Sequence, residues 1–483
     1  MNFKLILRVL GSLAFVEAFF ILCCTIMAFC YGEDDTVAFL ASFGIAMGTG
    51  FLFLLAGKGA EKTMSRKDGY IVVSVSWILF SVIGMFPYLF SHYTSGVTDA
   101  LFESISGFTS TGTSIMDNID SCPHALLFWR SLTQWVGGLG IILFTIALIP
   151  GIGMGDVSLF AAQSMGPLPG KLQPRITNTA QWIFTVYLAL TVGCAVSLYF
   201  CGMNVFDAVN HSFTCIGTGG FSTHQNSVQF FNSARIEYVL IAFMFFAGVN
   251  YNLLYFFALR GKFKRLFKDT EFKWYTLLFI ASTAVCALSL HFDNGLEWEP
   301  SLRFSAFQTI SLSTSTGYCS HDYMLWAAKL QPLLLLLMVI GGCAGSSAGG
   351  FKVVRVAMLW NIAKNESKKM LHPNAVIPLR INGQVVATPA KMVLITFTFL
   401  YLLTFFIGWM LLMCFGIEFS EAASCSLSAL SNTGPGIGSY GPAYSWSIMS
   451  TGAKWVCSAL MFIGRLEIMC VFVLFTRSFW KRH

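Results

Sequence analysis

Asp99-Ala-Leu-Phe-Glu-Ser-Ile-Ser-Gly-Phe-Thr-Ser-Thr-Gly112 is a pattern that the chain repeats, without gaps, at Asp207–Gly220, Phe304–Gly317 and Glu421–Gly434. Three of the four copies open on a carboxylate (Asp99, Asp207 and Glu421), where a helix N-cap is expected; Phe304 is the exception. Eight places before the closing glycines stand Ser104, Ser212, Thr309 and Ser426. Seven before stand the apolar Ile105, Phe213, Ile310 and Leu427, and six before stand Ser106, Thr214, Ser311 and Ser428. Polarity therefore repeats with the spacing. The copies recur at intervals of roughly one hundred residues, long enough for each unit to hold two membrane spans and too long for a solenoid.

Composition fixes the medium in which these repeats sit. With 55% hydrophobic and only 11% charged residues over 483 positions, and a mean hydropathy of +0.68, the chain reads as an all-α polytopic membrane protein. The net charge of +7 sits between apolar segments, where it sets orientation, so nucleic acid is excluded as a partner and the lipid bilayer is expected. The fourteen cysteines lie mostly in apolar runs, with no Cys-x-x-Cys pair, and read as small hydrophobes. Histidines are dispersed, no Walker-type phosphate loop is present, and Gly436, Gly438 and Gly441 match Gly-x-Gly-x-x-Gly without a preceding strand. No catalytic constellation and no cofactor site emerge, which points away from an enzyme.

Two N-terminal spans are expected at 6–31 and 37–57, within a segment 1–68. The first apolar run is too long for a signal-peptide core. Four units follow at 69–150, 151–260, 261–380 and 381–483. Their paired spans fall at 70–91 and 126–149, 181–201 and 233–259, 275–292 and 330–362, and 390–415 and 448–476. That makes about ten spans. The repeated pattern itself is too short to cross, and loop charges say where it goes. Lys4, Arg8, Lys58, Lys62, Arg66, Lys67, Lys171, Arg175, the run from Arg260 to Lys273, the run from Lys352 to Arg380, and Lys481-Arg482 share one face only if each short segment enters and leaves from the other. The expectation is re-entrant segments, with both termini on the basic, cytoplasmic side.

Non-helical backbone at membrane depth is tolerated only where protein buries it or it lines a water-filled path. The segments end in Thr109-Ser110-Thr111-Gly112, Gly217-Thr218-Gly219-Gly220, Thr314-Ser315-Thr316-Gly317 and Ser431-Asn432-Thr433-Gly434, which offer carbonyls and hydroxyls without fixed charge. Four such loops around a pseudo-fourfold axis can replace a cation's hydration shell with oxygens, and four helix C-termini aimed inward add negative partial charge. Small polar residues in membranes also serve as packing positions. Packing alone does not predict a fourfold ungapped register.

These loops, with Leu127-Phe-Trp-Arg-Ser-Leu-Thr-Gln-Trp-Val-Gly-Gly-Leu-Gly140, Gly219-Gly-Phe-Ser-Thr-His224, Gly341-Gly-Cys-Ala-Gly-Ser-Ser-Ala-Gly-Gly350 and Asn432-Thr-Gly-Pro-Gly436, resemble the Trk/Ktr/HKT superfamily of potassium and sodium transport proteins. The two extra N-terminal spans fit its TrkH branch, and the resemblance covers nearly the whole chain. It implies potassium uptake across a bacterial inner membrane through a filter of Ser110, Thr111, Gly112, Thr218, Gly219, Gly220, Ser315, Thr316, Gly317, Asn432, Thr433 and Gly434, with potassium bound there as the transported ion. Gly112 occupies the place where a serine is associated with sodium transport. A homodimer and a peripheral cytoplasmic nucleotide-binding subunit, TrkA-like, are implied as partners.

Two features lie outside the repeat. Gly341, Gly342, Gly345, Ser346, Ser347, Gly349 and Gly350 interrupt a segment otherwise continuous enough to span, and glycine costs about 1 kcal/mol against alanine in a helix, so the helix is expected to break there. The resemblance makes this loop the gate below the filter. Arg465 lies well inside the last span, where a charge faces a cavity or a partner. The resemblance places such an arginine beside the gate, and a guanidinium with five donors seeks the carbonyls that a broken helix frees. The alternative function is a sodium- or proton-coupled cation symporter, which predicts broken helices paired in inverted repeats; only one helix is visibly broken in the sequence.

Overall fold

The computed structural model of the chain describes residues 1–61, 64–148, 176–258, 261 and 263–481. The expected charges Lys62, Lys171, Arg175, Arg260, Lys262 and Arg482 lie outside the described residues, as does the boundary between the first two units. The described chain is helical apart from loops and one two-stranded hairpin, Arg380–Ile381 with Gln384–Val385. Two long apolar helices, Phe3–Tyr31 and Thr36–Ala56, pack together as an N-terminal hairpin, and four helical units of one design follow.

Each unit has a long helix, a short helix, an extended loop and an inner helix. The long helices are Arg66–Gly84 (continued by Phe86–Phe90), Ile176–Phe200, Thr270–Phe292 and Thr388–Cys414. Their sides carry exposed apolar residues, among them Leu277, Ile280, Phe399 and Met410, as a lipid-facing surface requires. The short helices are Val97–Phe108, Val205–Ile216, Trp298–Ser313 and Phe419–Ser431. At about 1.5 Å per residue none is long enough for a hydrocarbon core of about 30 Å. They are buried along most of their length, unlike the long helices.

These helices start earlier than the opening carboxylates suggest. The caps are Gly96, Asn204, Glu297 and Glu418, so Asp99, Asp207 and Glu421 sit in the first turn instead of at the N-cap. A carboxylate there still meets free amide N–H groups and the positive end of the helix dipole, so residue type alone does not separate the two positions. Where Phe304 breaks the pattern, Glu299 supplies the first-turn acid.

Among the described residues three inner helices are broken, not one. His124–Leu148 is continuous, and Gln331–Ile340 stops at the expected glycine segment before the chain resumes as Val353–Leu371. Ala234–Ala247 also bends by 107° into Tyr251–Ala258, and Thr451–Arg465 bends by 107° into Ile468–Leu474. At the first bend the Gly248 carbonyl accepts the Cys343 N–H at 2.9 Å, and Tyr251 N–H donates to the Gly345 carbonyl at 3.0 Å. The backbone groups freed by the bend are thus satisfied by the third unit's glycine loop. At the second bend Glu467 takes a left-handed conformation (φ 62°) and its carboxylate meets Arg355 at 2.7 Å.

Candidate functional site: a ring of four re-entrant loops

The four loops share one backbone conformation. Two places before each glycine, Ser110, Thr218, Ser315 and Asn432 have φ of 51°, 52°, 53° and 54°. Gly112, Gly220, Gly317 and Gly434 have φ of 84°, 75°, 82° and 107°, a region that L side chains avoid. Each short helix ends in the same way, with the N–H of Thr111, Gly219, Thr316 and Thr433 returning to the carbonyls of Ser106, Thr214, Ser311 and Ser428 at 2.9–3.0 Å. These acceptors are the residues six places before each glycine. The turn that aims each loop is therefore closed on the backbone carbonyl six places before its glycine.

The loops close into a ring. A methyl group on Gly112 would lie 1.8 Å from the Gly219 carbonyl oxygen, one on Gly220 1.9 Å from that of Thr316, one on Gly317 2.3 Å from that of Thr433, and one on Gly434 2.8 Å from that of Thr111. Each loop so abuts the next in cyclic order, and at each junction the side chain is excluded by a neighbouring carbonyl. All four glycines line a single cavity on the side from which the short helices enter.

Side chains behind the ring fasten the loops to one another. Asn432 Nδ2 donates to Thr111 Oγ1 and to the Met461 carbonyl, both at 3.0 Å, joining loops 4 and 1. Tyr318, just after loop 3, donates from its hydroxyl to the His211 carbonyl of the second short helix at 3.0 Å. Between loops 1 and 2 lies a buried ion pair, Arg130 Nε to Glu103 Oε1 at 3.0 Å. Glu103 also accepts from Ser114 Oγ and the Ile115 N–H, while Arg130 reaches the Ser222 carbonyl and stacks on Phe221. Neither partner is marked by the repeat or by a motif of its own in the sequence. An acid and a base deep in largely apolar helices were the available signal.

Nearer the entrance, His224 bridges Asp120 at 2.9 Å and Asp207 at 3.4 Å. Burial works against its protonation, but the hydrogen bonds and charges of Asp207 and Asp120 outweigh it and lift the imidazole above its usual 6.5.

On the other side of the ring lies the glycine segment of the third unit. It leaves and rejoins the helix at one place, with Phe351 N–H on the Val339 carbonyl (2.9 Å) and Lys352 N–H on that of Ile340 (2.7 Å). Gly341, Gly345 and Gly350 have φ of 72°, 76° and 77°. Gly341 packs on Gly349 and Gly350, Gly342 accepts the Val353 N–H at 3.0 Å, and Ser346 donates to the Cys343 carbonyl at 2.6 Å, so these residues shape the loop. Its tip touches the ring. Ser347 Oγ donates to the Ile216 carbonyl at 2.9 Å, the Gly349 N–H donates to Ser315 Oγ, and a methyl on Gly349 would lie 2.2 Å from the Ser431 carbonyl oxygen. The far side is held by Glu271, which accepts the Ala344 N–H at 2.6 Å and the Val354 N–H at 3.2 Å, and by Asn250 Nδ2 on the Ala344 carbonyl at 2.6 Å. Glu271 carried no distinguishing signal in the sequence.

Arg465 completes this contact. Its guanidinium is buried and donates to the Ser347 carbonyl at 3.0 Å, to Ser110 Oγ at 3.1 Å and to the Gly137 carbonyl at 2.9 Å. It therefore meets no carboxylate in these hydrogen bonds and instead ties the glycine segment to loop 1 and the first inner helix.

The profile of the TrkH family, described as a cation transport protein, matches residues 38–482. The chain belongs to the TrkH family. It is 34% identical, over the whole length of both chains, to the "Trk system potassium uptake protein TrkH" of Salmonella typhimurium. It is 33% identical, again end to end, to the protein of that name from Halomonas elongata. Its fold is similar to the crystal structure of the potassium transporter TrkH from Vibrio parahaemolyticus, with a TM-score of 0.91 at 32% identity and complete coverage of both chains. TrkH proteins are multi-span membrane transporters and not enzymes, in line with the composition and with the fourfold helical design.

Proposed function

We propose that this TrkH protein takes up potassium through the ring, which acts as its selectivity filter. The observation that carries the proposal is the repetition of one left-handed loop conformation four times in a closed cycle, each loop abutting the next one's carbonyl. Ser110, Thr111, Gly112, Thr218, Gly219, Gly220, Ser315, Thr316, Gly317, Asn432, Thr433 and Gly434 form the ion path, where carbonyl and hydroxyl oxygens replace the water that a cation sheds. The C-terminal ends of the short helices add negative partial charge without a carboxylate that would hold the ion too tightly. Potassium is the cargo, as the relatives' names suggest.

The glycine segment is the gate. Gly341, Gly342, Gly345, Ser346, Ser347, Gly349 and Gly350 lie against the ring by its tip, and Arg465 latches that tip through the Ser347 carbonyl. Movement of the loop away from Ser315 and Ile216 opens the path. The protein sits in the bacterial inner membrane with the basic loops and both termini cytoplasmic, works as a homodimer, and takes its regulation from a cytoplasmic nucleotide-binding subunit. Its units divide at 69–150, 151–260, 261–380 and 381–483. Expression in a strain lacking its own potassium uptake systems tests the function: growth and rubidium uptake at low external potassium are expected. Transport of a different solute with no potassium flux overturns it.

A further inference from the structure

Loop 2 differs from the other three at the place before the closing glycine. Loops 1, 3 and 4 carry Thr111, Thr316 and Thr433 there, and loop 2 carries Gly219. Two of the threonines brace their own loops, with Thr111 Oγ1 2.7 Å from Thr109 Oγ1 and Thr316 Oγ1 2.8 Å from Thr314 Oγ1. Loop 2 has glycine at both corresponding places, Gly217 and Gly219, so it has no such brace of its own. A Gly219-Gly220 pair is also the most permissive backbone in the ring.

The missing volume is filled from the neighbouring unit. Gln134 belongs to the first unit's inner helix and is fully buried. A methyl group on Gly219 would lie 2.3 Å from its Cδ, 2.5 Å from its Oε1 and 2.7 Å from its Nε2, and these are the three nearest atoms. The amide bonds on both sides of Gly220: Nε2 donates to the Gly219 carbonyl at 2.9 Å, and Oε1 accepts the Phe221 N–H at 3.0 Å. The Gly219 oxygen so held is the one against which Gly112 packs. One neutral side chain thus fixes two peptide groups of loop 2 and the junction between loops 1 and 2.

We propose that Gln134 is a positioning and specificity-determining residue, which supplies from the first unit the brace that loop 2 lacks. The proposal rests on the ring being the filter. Its chemistry is reciprocal. Gly219 is absent from the residues with positive φ, so its backbone accepts a threonine, and the three nearest obstacles all belong to Gln134. Removing Gln134 frees the Gly219 carbonyl and leaves the Phe221 N–H unpaired. Adding a threonine at 219 with Gln134 present forces the two apart. Making both changes gives loop 2 the threonine that the other loops carry before the closing glycine, in the space that Gln134 vacates, while Gly217 stays as it is.

The test compares potassium and sodium flux into proteoliposomes for monodisperse wild-type protein, Gln134→Ala, Gln134→Glu, Gly219→Thr, the Gln134→Ala/Gly219→Thr double variant, and Gly112→Ser. Loss of two buried hydrogen bonds is expected to lower the potassium-over-sodium preference of Gln134→Ala by about tenfold. Gln134→Glu fills the same space but turns an acceptor toward the Gly219 carbonyl, so it is expected to fall similarly; if the alanine variant does not fold, this near-isosteric one carries the test. The double variant is expected to exceed Gly219→Thr, because the clash with Gln134 is gone; Gln134→Glu, which keeps the volume and loses the donor to the Gly219 carbonyl, separates bracing from space filling. A double variant no better than the worse single one, or an unchanged Gln134→Glu, overturns the role of Gln134 while a relaxed Gly112→Ser leaves the filter standing. Unchanged preference in Gly112→Ser overturns the filter itself, and the proposal with it.

Discussion

Replacing Arg465 with alanine tests the latch. Of its three hydrogen bonds, only the one to the Ser347 carbonyl reaches the gate; those to Ser110 and Gly137 anchor the guanidinium to the first unit. A hydrogen bond from a charged donor contributes about 1.5–3 kcal/mol, and every 1.4 kcal/mol is tenfold, so Arg465→Ala should raise the open population by about 10- to 150-fold. It should not open the gate fully, because Ser315, Ile216, Asn250 and Glu271 still hold the loop. The assay is rubidium flux into liposomes with no cytoplasmic partner present. Arg465→Lys, with one point charge in place of a planar fork, should lie between wild type and alanine. Shortening the 341–350 loop should also raise basal flux, and because both changes disable one latch, the combination should gain far less than the product of the two. Abolished flux in well-folded Arg465→Ala, or simple multiplication of the two effects, refutes the latch.

Arg130→Met should leave the fully buried Glu103 without its cation and lower stability by about 3–5 kcal/mol, seen as a reduced unfolding temperature in detergent; adding Glu103→Leu should recover part of it, and an unshifted temperature would show that the pair is not a strut. For His224, a folded-state pKa above the usual 6.5 means its bridge stabilises fully below that value and is lost as pH rises through the raised one. The stability difference between wild type and His224→Asn should therefore be largest near pH 6 and vanish in alkali; a difference that grows with pH contradicts the bridge.

The ring was legible because it is written four times. An ungapped register, a length too short to cross and a glycine at the same place each time all report on one local turn, and local turns leave local signals. The break at 341–350 was legible for the same reason, through its glycines. The bend at Gly248–Asn250 has a glycine too, but the Gly248 carbonyl and the Tyr251 N–H are satisfied by residues almost a hundred positions away in the third unit. The bend at Leu466–Glu467 has no glycine or proline in it, and Glu467 is turned toward Arg355 on another helix. Glu103 with Arg130, Gln134 with Gly219, and Glu271 with Ala344 are likewise pairs whose meaning exists only once helices from different parts of the chain are brought together. Arg465 stands out in the sequence because a lone charge deep in an apolar span is costly wherever its partners lie.

The central claim is that four loops act as one filter, and serine placed at Gly112, Gly220, Gly317 and Gly434 in turn tests it most directly. Each site combines a positive φ with a neighbouring carbonyl, at 1.8, 1.9, 2.3 and 2.8 Å from an added methyl. The measurement is the potassium-over-sodium flux ratio of each folded variant in proteoliposomes. All four substitutions should lower the ratio, least at Gly434 where the added atom has most room. A ratio that stays at the wild-type value in every variant, or that falls at one glycine and at no other, would show that the four loops do not work as a single ring.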